Sequence, residues 1–236
     1  MGQQPEAKKF FVHKGILQDM STTPEIFDKD YNLPKPGSDN ELARDEKSNL
    51  YLEDDHPKAF AFLVHFIYRK VVTVNEGTLY LIPSVYFICE KLGLEDLMNQ
   101  IMDGIQEYDF HHPDHAFSLQ EIRYIYAFCR IDSKLWTYCL ASIACRTIWG
   151  SLDQRWSAKF VKFCSGSPEV ARDLFVMNVK HANKIHEHKA DYRQQDNENG
   201  FAICEFHNHQ SGQLCEKPNP KLSRHRPAQQ QVVEGV

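Results

Sequence analysis

The chain has 236 residues, enough for one large or two small domains, and with 42% hydrophobic and 12% aromatic residues it can fill a core. Its formal charge of -5 provides no general basic field, which makes nucleic acid a poor default partner. Met1 to Lys9 is polar without an apolar leader core, and no run approaches the roughly 20 apolar residues that span a bilayer, so the expectation is a soluble intracellular protein, cytoplasmic or nuclear, with no membrane partner.

Phe10-Phe11-Val12 is a short apolar run expected as a strand, and His13-Lys14-Gly15-Ile16-Leu17 turns the backbone into a first helix. From Asp28 to Ser48, acids and bases mix with Pro34, Pro36 and Gly37, the composition of a surface insertion. Asn49 to Asp55 predicts a second strand that stops at an acidic helix start. Pro57 then opens a helix in which Phe60, Leu63 and Ile67 recur at helical spacing while Phe62, Val64 and Phe66 fill the other faces. A helix apolar nearly all round is expected at the centre of the core. Leu79, Ile82, Tyr86 and Cys89 predict the next helix, with Pro83 in its first turn or at a kink. Gly93 ends it, and Leu94, Leu97, Met98, Ile101 and Ile105 carry the period into another.

At Phe10–Leu17 and Asn49–Tyr68 the chain resembles the BTB/POZ family, particularly its fungal members, whose pattern is roughly F-x-V-H-K-x-x-L, a gap, then V-x-L-x-E-D-D-P-x-A-F-x-x-F-x-x-x-x-Y. Ile88 to Leu97 is similar to the A-x-K-L-x-x-x-x-L signature of the family's late helices. The resemblance implies an α+β fold over residues 8–108, a small sheet with a cluster of helices, and a non-catalytic protein–protein interaction module acting by homo- or hetero-oligomerisation. It implies a structural His13 that hydrogen-bonds across the core. The apolar residues of the strand and first helix, Phe10, Phe11, Val12, Ile16, Leu17 and Met20, are the expected partner surface. The family's usual preceding strand has no counterpart before Phe10, so a shortened N-terminus is expected, leaving an edge strand open to self-association. Val72 to Glu76 falls where ubiquitin-ligase adaptors of the family carry a hydrophobic-x-Glu element facing a cullin scaffold. Val74 and Glu76 would make that contact, although a turn at Asn75 and Gly77 explains the same residues.

The second block, 109–192, reads as an all-helical extension. Ser118 and Glu121 form a capping box before Ile122, Ile125, Tyr126 and Cys129. Asp132 or Ser133 caps a helix carrying Leu135, Trp136, Cys139, Leu140, Ile143 and Ile148, and Ser167-Pro168-Glu169 opens the last one. His111, His112 and His115 near Asp114 read as a solvated turn, and His181 to His188 as an exposed helix end placed for the macrodipole. Of seven Cys, five (Cys89, Cys129, Cys139, Cys145, Cys164) sit singly in apolar helical patterns, so they are expected as reduced core thiols outside any disulfide framework.

Residues 193–236 read as a flexible, mostly disordered tail with one exception at 204–215. Cys204, His207, His209 and Cys215 offer two thiolates and two imidazoles, the donors of a structural zinc site, and Gly212 allows the chain reversal that brings Cys215 back. The competing readings are a polar tail with chance His and Cys residues, or a small hairpin in which Phe201, Ile203, Phe206 and Leu214 dock on the helices. Two other function classes stand beside the interaction module. One is a zinc-binding regulatory protein whose tail binds nucleic acid or protein. The other is an enzyme of unrecognised type, although no G-x-S-x-G, glycine-rich phosphate loop or H-E-x-x-H occurs and no catalytic residue stands out.

Overall fold

A computed structural model of the chain describes residues 10–27, 43–44, 50–51, 57–69, 72–149, 154–182, 185, 191–193, 201, 204–209 and 215. In chain order these form α1 (Lys14–Met20), a 3-10 turn (Pro24–Phe27), β1 (Ala43–Arg44), β2 (Leu50–Tyr51), α2 (Pro57–Arg69), α3 (Glu76–Leu79), α4 (Ile82–Leu92) and α5 (Glu95–His111). The extension adds α6 (Leu119–Phe128), α7 (Lys134–Trp149), α8 (Gln154–Gly166) and α9 (Pro168–Lys180).

β1 and β2 pair antiparallel, Ala43 opposite Tyr51 and Arg44 opposite Leu50. This two-residue ladder is the whole sheet among the described residues. Asn49, 52–56 and the rest of the 28–48 insertion lie outside them. Phe10-Phe11-Val12 is not a strand: it reaches α1 as irregular backbone. Its apolar character serves side-chain docking instead, since the Phe10 ring lies 5.0 Å from that of Phe60 on α2 and Val12 packs against the core. The edge-strand premise for self-association goes with that correction.

The enclosed helix is α4, not α2. On α4 the residues Ile82, Pro83, Val85, Tyr86, Phe87, Ile88, Cys89 and Leu92 are all buried, because α2, α5 and α6 each pack against it. On α2 the buried face is Ala59, Leu63, Phe66 and Ile67, while His65, Tyr68 and Arg69 are exposed. Pro83 lies in the first turn of α4, where a missing N–H costs nothing. Gly93 closes α4 at φ 63°, a left-handed conformation open to glycine. A side chain there would also collide with Thr23 Oγ1 at 2.5 Å, because the segment after α1 docks on this turn: Thr22 N–H donates to Gly93 O at 2.8 Å and Ser21 Oγ to Leu92 O at 2.7 Å.

In the extension, the expected capping box at α6 is complete: Glu121 N–H donates to Ser118 Oγ at 3.2 Å and Ser118 N–H to Glu121 Oε2 at 2.7 Å. α7 packs on α6 and α9. Cys89, Cys129, Cys139 and Cys145 are buried thiols outside any disulfide, and Cys164 is a half-buried one. No helix among the described residues is long and apolar enough to cross a membrane.

Glu90, in the last turn of α4, accepts the Arg130 N–H at 3.4 Å, and burial pushes its carboxyl from 4.5 up to about 7. The folded chain therefore holds this proton more tightly than the unfolded chain, so the stability carried by the neutral acid is present below about pH 4.5 and lost as pH rises to about 7. Glu90→Gln should be more stable than the parent by about 1–3 kcal/mol at alkaline pH and equal to it in acid. Thermal unfolding at both pH values checks this; a constant difference would mean that Glu90 is not the titrating group.

Candidate functional site

Cys204, His209 and Cys215 converge so that one ligand atom from each lies within 4.8 Å of the other two. Cys215 N–H donates to Cys204 Sγ at 3.2 Å, and His209 Nε2 stands 3.5 Å from Cys215 Sγ. His207 Nδ1 reaches the same sulfur at 3.1 Å, so His207 joins the cluster through Cys215 while standing outside the three-way group. Its other ring nitrogen, Nε2, lies 3.1 Å from Asp103 Oδ1 on α5. The cluster can hold a metal ion.

The body of the protein fixes the backbone on both sides of this ring. Asn99, one turn before Asp103 on α5, accepts the Asn208 N–H at 2.7 Å and donates to Asn208 O at 3.0 Å. Asn208 Nδ2 donates to Tyr86 Oη of α4 at 2.9 Å, and Lys134 Nζ of α7 to Glu205 O at 2.9 Å. Phe206 is buried with its ring 5.0 Å from that of Tyr138, and Phe201 is buried 5.4 Å from Phe206. Aromatic docking and the Cys/His cluster, set against each other as alternatives on sequence grounds, thus coexist. Ile203, Leu214 and the other residues of 194–236 apart from 201, 204–209 and 215 lie outside the described residues.

The electrostatics of the cluster follow from its crowding. Burial, then the bond to Cys204 and the charge on that neighbour, pushes the Cys215 thiol up to about 11. Burial and the nearby His207 push His209 down. The two sulfurs disfavour each other's thiolates and the two imidazoles each other's cations, and a bound divalent cation reverses the preference for the thiolates.

The residues expected to meet partners divide between core and surface. Leu17 is buried in the molecule's own core, and Phe10, Val12, Ile16 and Met20 are half-buried against it. Phe11 is 83% exposed. Val74 is half-buried over α5, so close to Gly104 that a Cβ there would meet Val74 Cγ2 at 2.7 Å. Glu76 is exposed at the start of α3, whose first turn is set by Asn75 N–H donating to Thr78 Oγ1 at 3.0 Å. Beside it, Phe62, His65, Phe66 and Arg69 of α2 and Thr73 and Thr78 line a cleft of about 500 Å³. His13 is not the buried core residue expected. It is exposed, its backbone N–H donates to Tyr68 Oη at 3.2 Å, and its ring stands edge-on to the Tyr68 ring with centroids 6.4 Å apart.

Two histidine readings are corrected by tertiary packing. His115 is no solvated turn residue: its Nδ1 lies 2.5 Å from Asp109 Oδ1, and the buried Asp109 also accepts the Tyr138 hydroxyl at 2.7 Å. Arg146 ties down the same loop by donating to Pro113 O at 2.7 Å and to His115 O. His111 and His112 are exposed as expected. His181 is buried against Phe201, with ring centroids 5.2 Å apart, rather than exposed at a helix end.

Residues 4–108 match the family model of the BTB/POZ domain, just under half of the chain. No curated protein and no solved structure matches the chain.

Proposed function

Because the chain carries a BTB/POZ domain at residues 4–108, a protein–protein interaction module, we propose that it acts inside the cell by non-catalytic association, with a second copy of itself or with another protein as an adaptor. The family match is the observation that carries this reading, and the exposed aromatic side chain of Phe11 supports it. Half-buried Ile16 and Met20 flank the surface, while Leu17 belongs to the core beneath. A cullin-type scaffold is a partner for the opposite element: the exposed Glu76 and the cleft beside it supply one charge and an apolar floor. The same reading includes one structural zinc at the Cys204–Cys215 cluster, whose two sulfurs and imidazoles suit that ion.

Phe11→Ser should weaken self-association about tenfold or more without lowering the melting temperature, because an exposed aromatic contributes to an interface and not to the core. Light scattering over a concentration series checks it, and identical curves for the two proteins would remove Phe11 from the contact. Glu76→Lys should abolish binding to a cullin N-terminal fragment and leave self-association unchanged. Retained binding would dismiss the cullin assignment alone.

A further inference from the structure

We propose that Asp103 on α5 is a positioning residue for the zinc site, orienting His207 as its fourth ligand, so that the metal clasps the C-terminal segment onto the BTB/POZ domain. The proposal rests on the zinc reading above and adds the residue that supports its fourth ligand.

His207 presents its two nitrogens to two different partners. Nε2 lies 3.1 Å from the Asp103 carboxylate and Nδ1 lies 3.1 Å from Cys215 Sγ, with the ring buried between them. A carboxylate at one nitrogen holds the proton there and leaves the lone pair of the other directed at the cluster. Spacing agrees with ligation of one ion. With zinc–sulfur and zinc–nitrogen bonds of about 2.3 and 2.0 Å at a tetrahedral angle, sulfur and nitrogen ligands stand about 3.5 Å apart. Cys215 Sγ is 3.5 Å from His209 Nε2 and 3.1 Å from His207 Nδ1, so each imidazole is spaced to share a metal with that sulfur, and His207, outside the 4.8 Å group of the other three, joins them by closing toward Cys204 and His209 when the ion binds.

The register is fixed independently of any ion. Asn99 and Asp103 are four residues apart on one face of α5, and they engage Asn208 and His207, adjacent residues of the segment. Lys134 holds the same segment from α7. Metal bound at the cluster would therefore connect the BTB/POZ domain, the helical extension and the C-terminal segment at one point.

The test uses the full chain. Zinc affinity is measured by competition with a chromophoric chelator, and cobalt substitution reports coordination by its visible absorption. The expected result is one zinc per chain in the parent, none in a Cys204→Ser, Cys215→Ser double variant, and affinity about 10–100-fold lower in Asp103→Asn, the usual loss when the carboxylate behind a histidine ligand is removed. His207→Ala should change the cobalt spectrum. Asn99→Ala is the control for docking, since it releases Asn208 without touching His207, and it should retain most of the affinity. No zinc in the parent overturns the zinc reading and this proposal with it. Parent-like affinity in Asp103→Asn, or an equal loss in Asn99→Ala, leaves zinc in place and overturns the role of Asp103.

Discussion

Asp109→Ala should lower the stability of the protein by about 2–4 kcal/mol, because it strips two groups of their shared buried hydrogen-bond partner. The carboxylate is 1% exposed and holds two groups, the Tyr138 hydroxyl at 2.7 Å and the His115 ring at 2.5 Å. Burial, and secondarily the charge of Asp109, keeps the Tyr138 phenol well above its ordinary value, so it donates throughout the pH range of folding. Truncation strands that donor in a closed interior, at about 1–3 kcal/mol, and frees the loop that His115 anchors between α5 and α6. At about 2–4 °C per kcal/mol for a chain of this size, the melting temperature should fall by roughly 10 °C. Asp109→Asn retains an acceptor for Tyr138 and should lose less. Calorimetry that puts Asp109→Ala within 1 kcal/mol of the parent would show that the network does not carry the junction.

Leu63→Ala should cost about 2–5 kcal/mol, through lost transfer energy and the cavity left behind. Leu63 is fully buried on the face of α2 that packs against α4, with Phe66 and Ile67 on the same face. The α4 surface that it faces is held from its other sides by α5 and α6, so the site has little freedom to collapse. Val64, half-buried one position along, is the internal comparison, and Val64→Ala should cost less. Urea titration should show a lower midpoint with an unchanged slope. An unmoved midpoint would remove this face of α2 from the core.

Local chemistry was legible in the sequence where local chemistry decides. Ser118 and Glu121 cap α6, Gly93 closes α4, and Pro83 occupies a first turn, each set within four residues of chain. Helical periods placed Leu63, Ile67 and Leu97 in one core, yet could not rank two apolar helices, and α4 rather than α2 has neighbours on three sides. Three apolar residues at Phe10–Val12 satisfy a strand pattern and a docking peptide equally well, and only a pairing partner distinguishes them. His13, His115 and His181 went the wrong way for a related reason. Their burial depends on which segment covers them, and Asp109 and Phe201 reach them by tertiary packing. Spacing exposed the cluster of Cys204, His209 and Cys215. Asp103 and Asn99, 104 and 109 residues away from their partners, had no signal in the pattern that could have found them.

Association is the claim on which the account depends, and sedimentation velocity of the full chain tests it most directly, alone and with a cullin N-terminal fragment, from low to high micromolar concentration. The expected result is a sedimentation coefficient that rises with concentration toward a species of two or more chains, or a shift of the chain into a complex with the fragment. A single-chain species at every concentration, unmoved by the fragment, would contradict it.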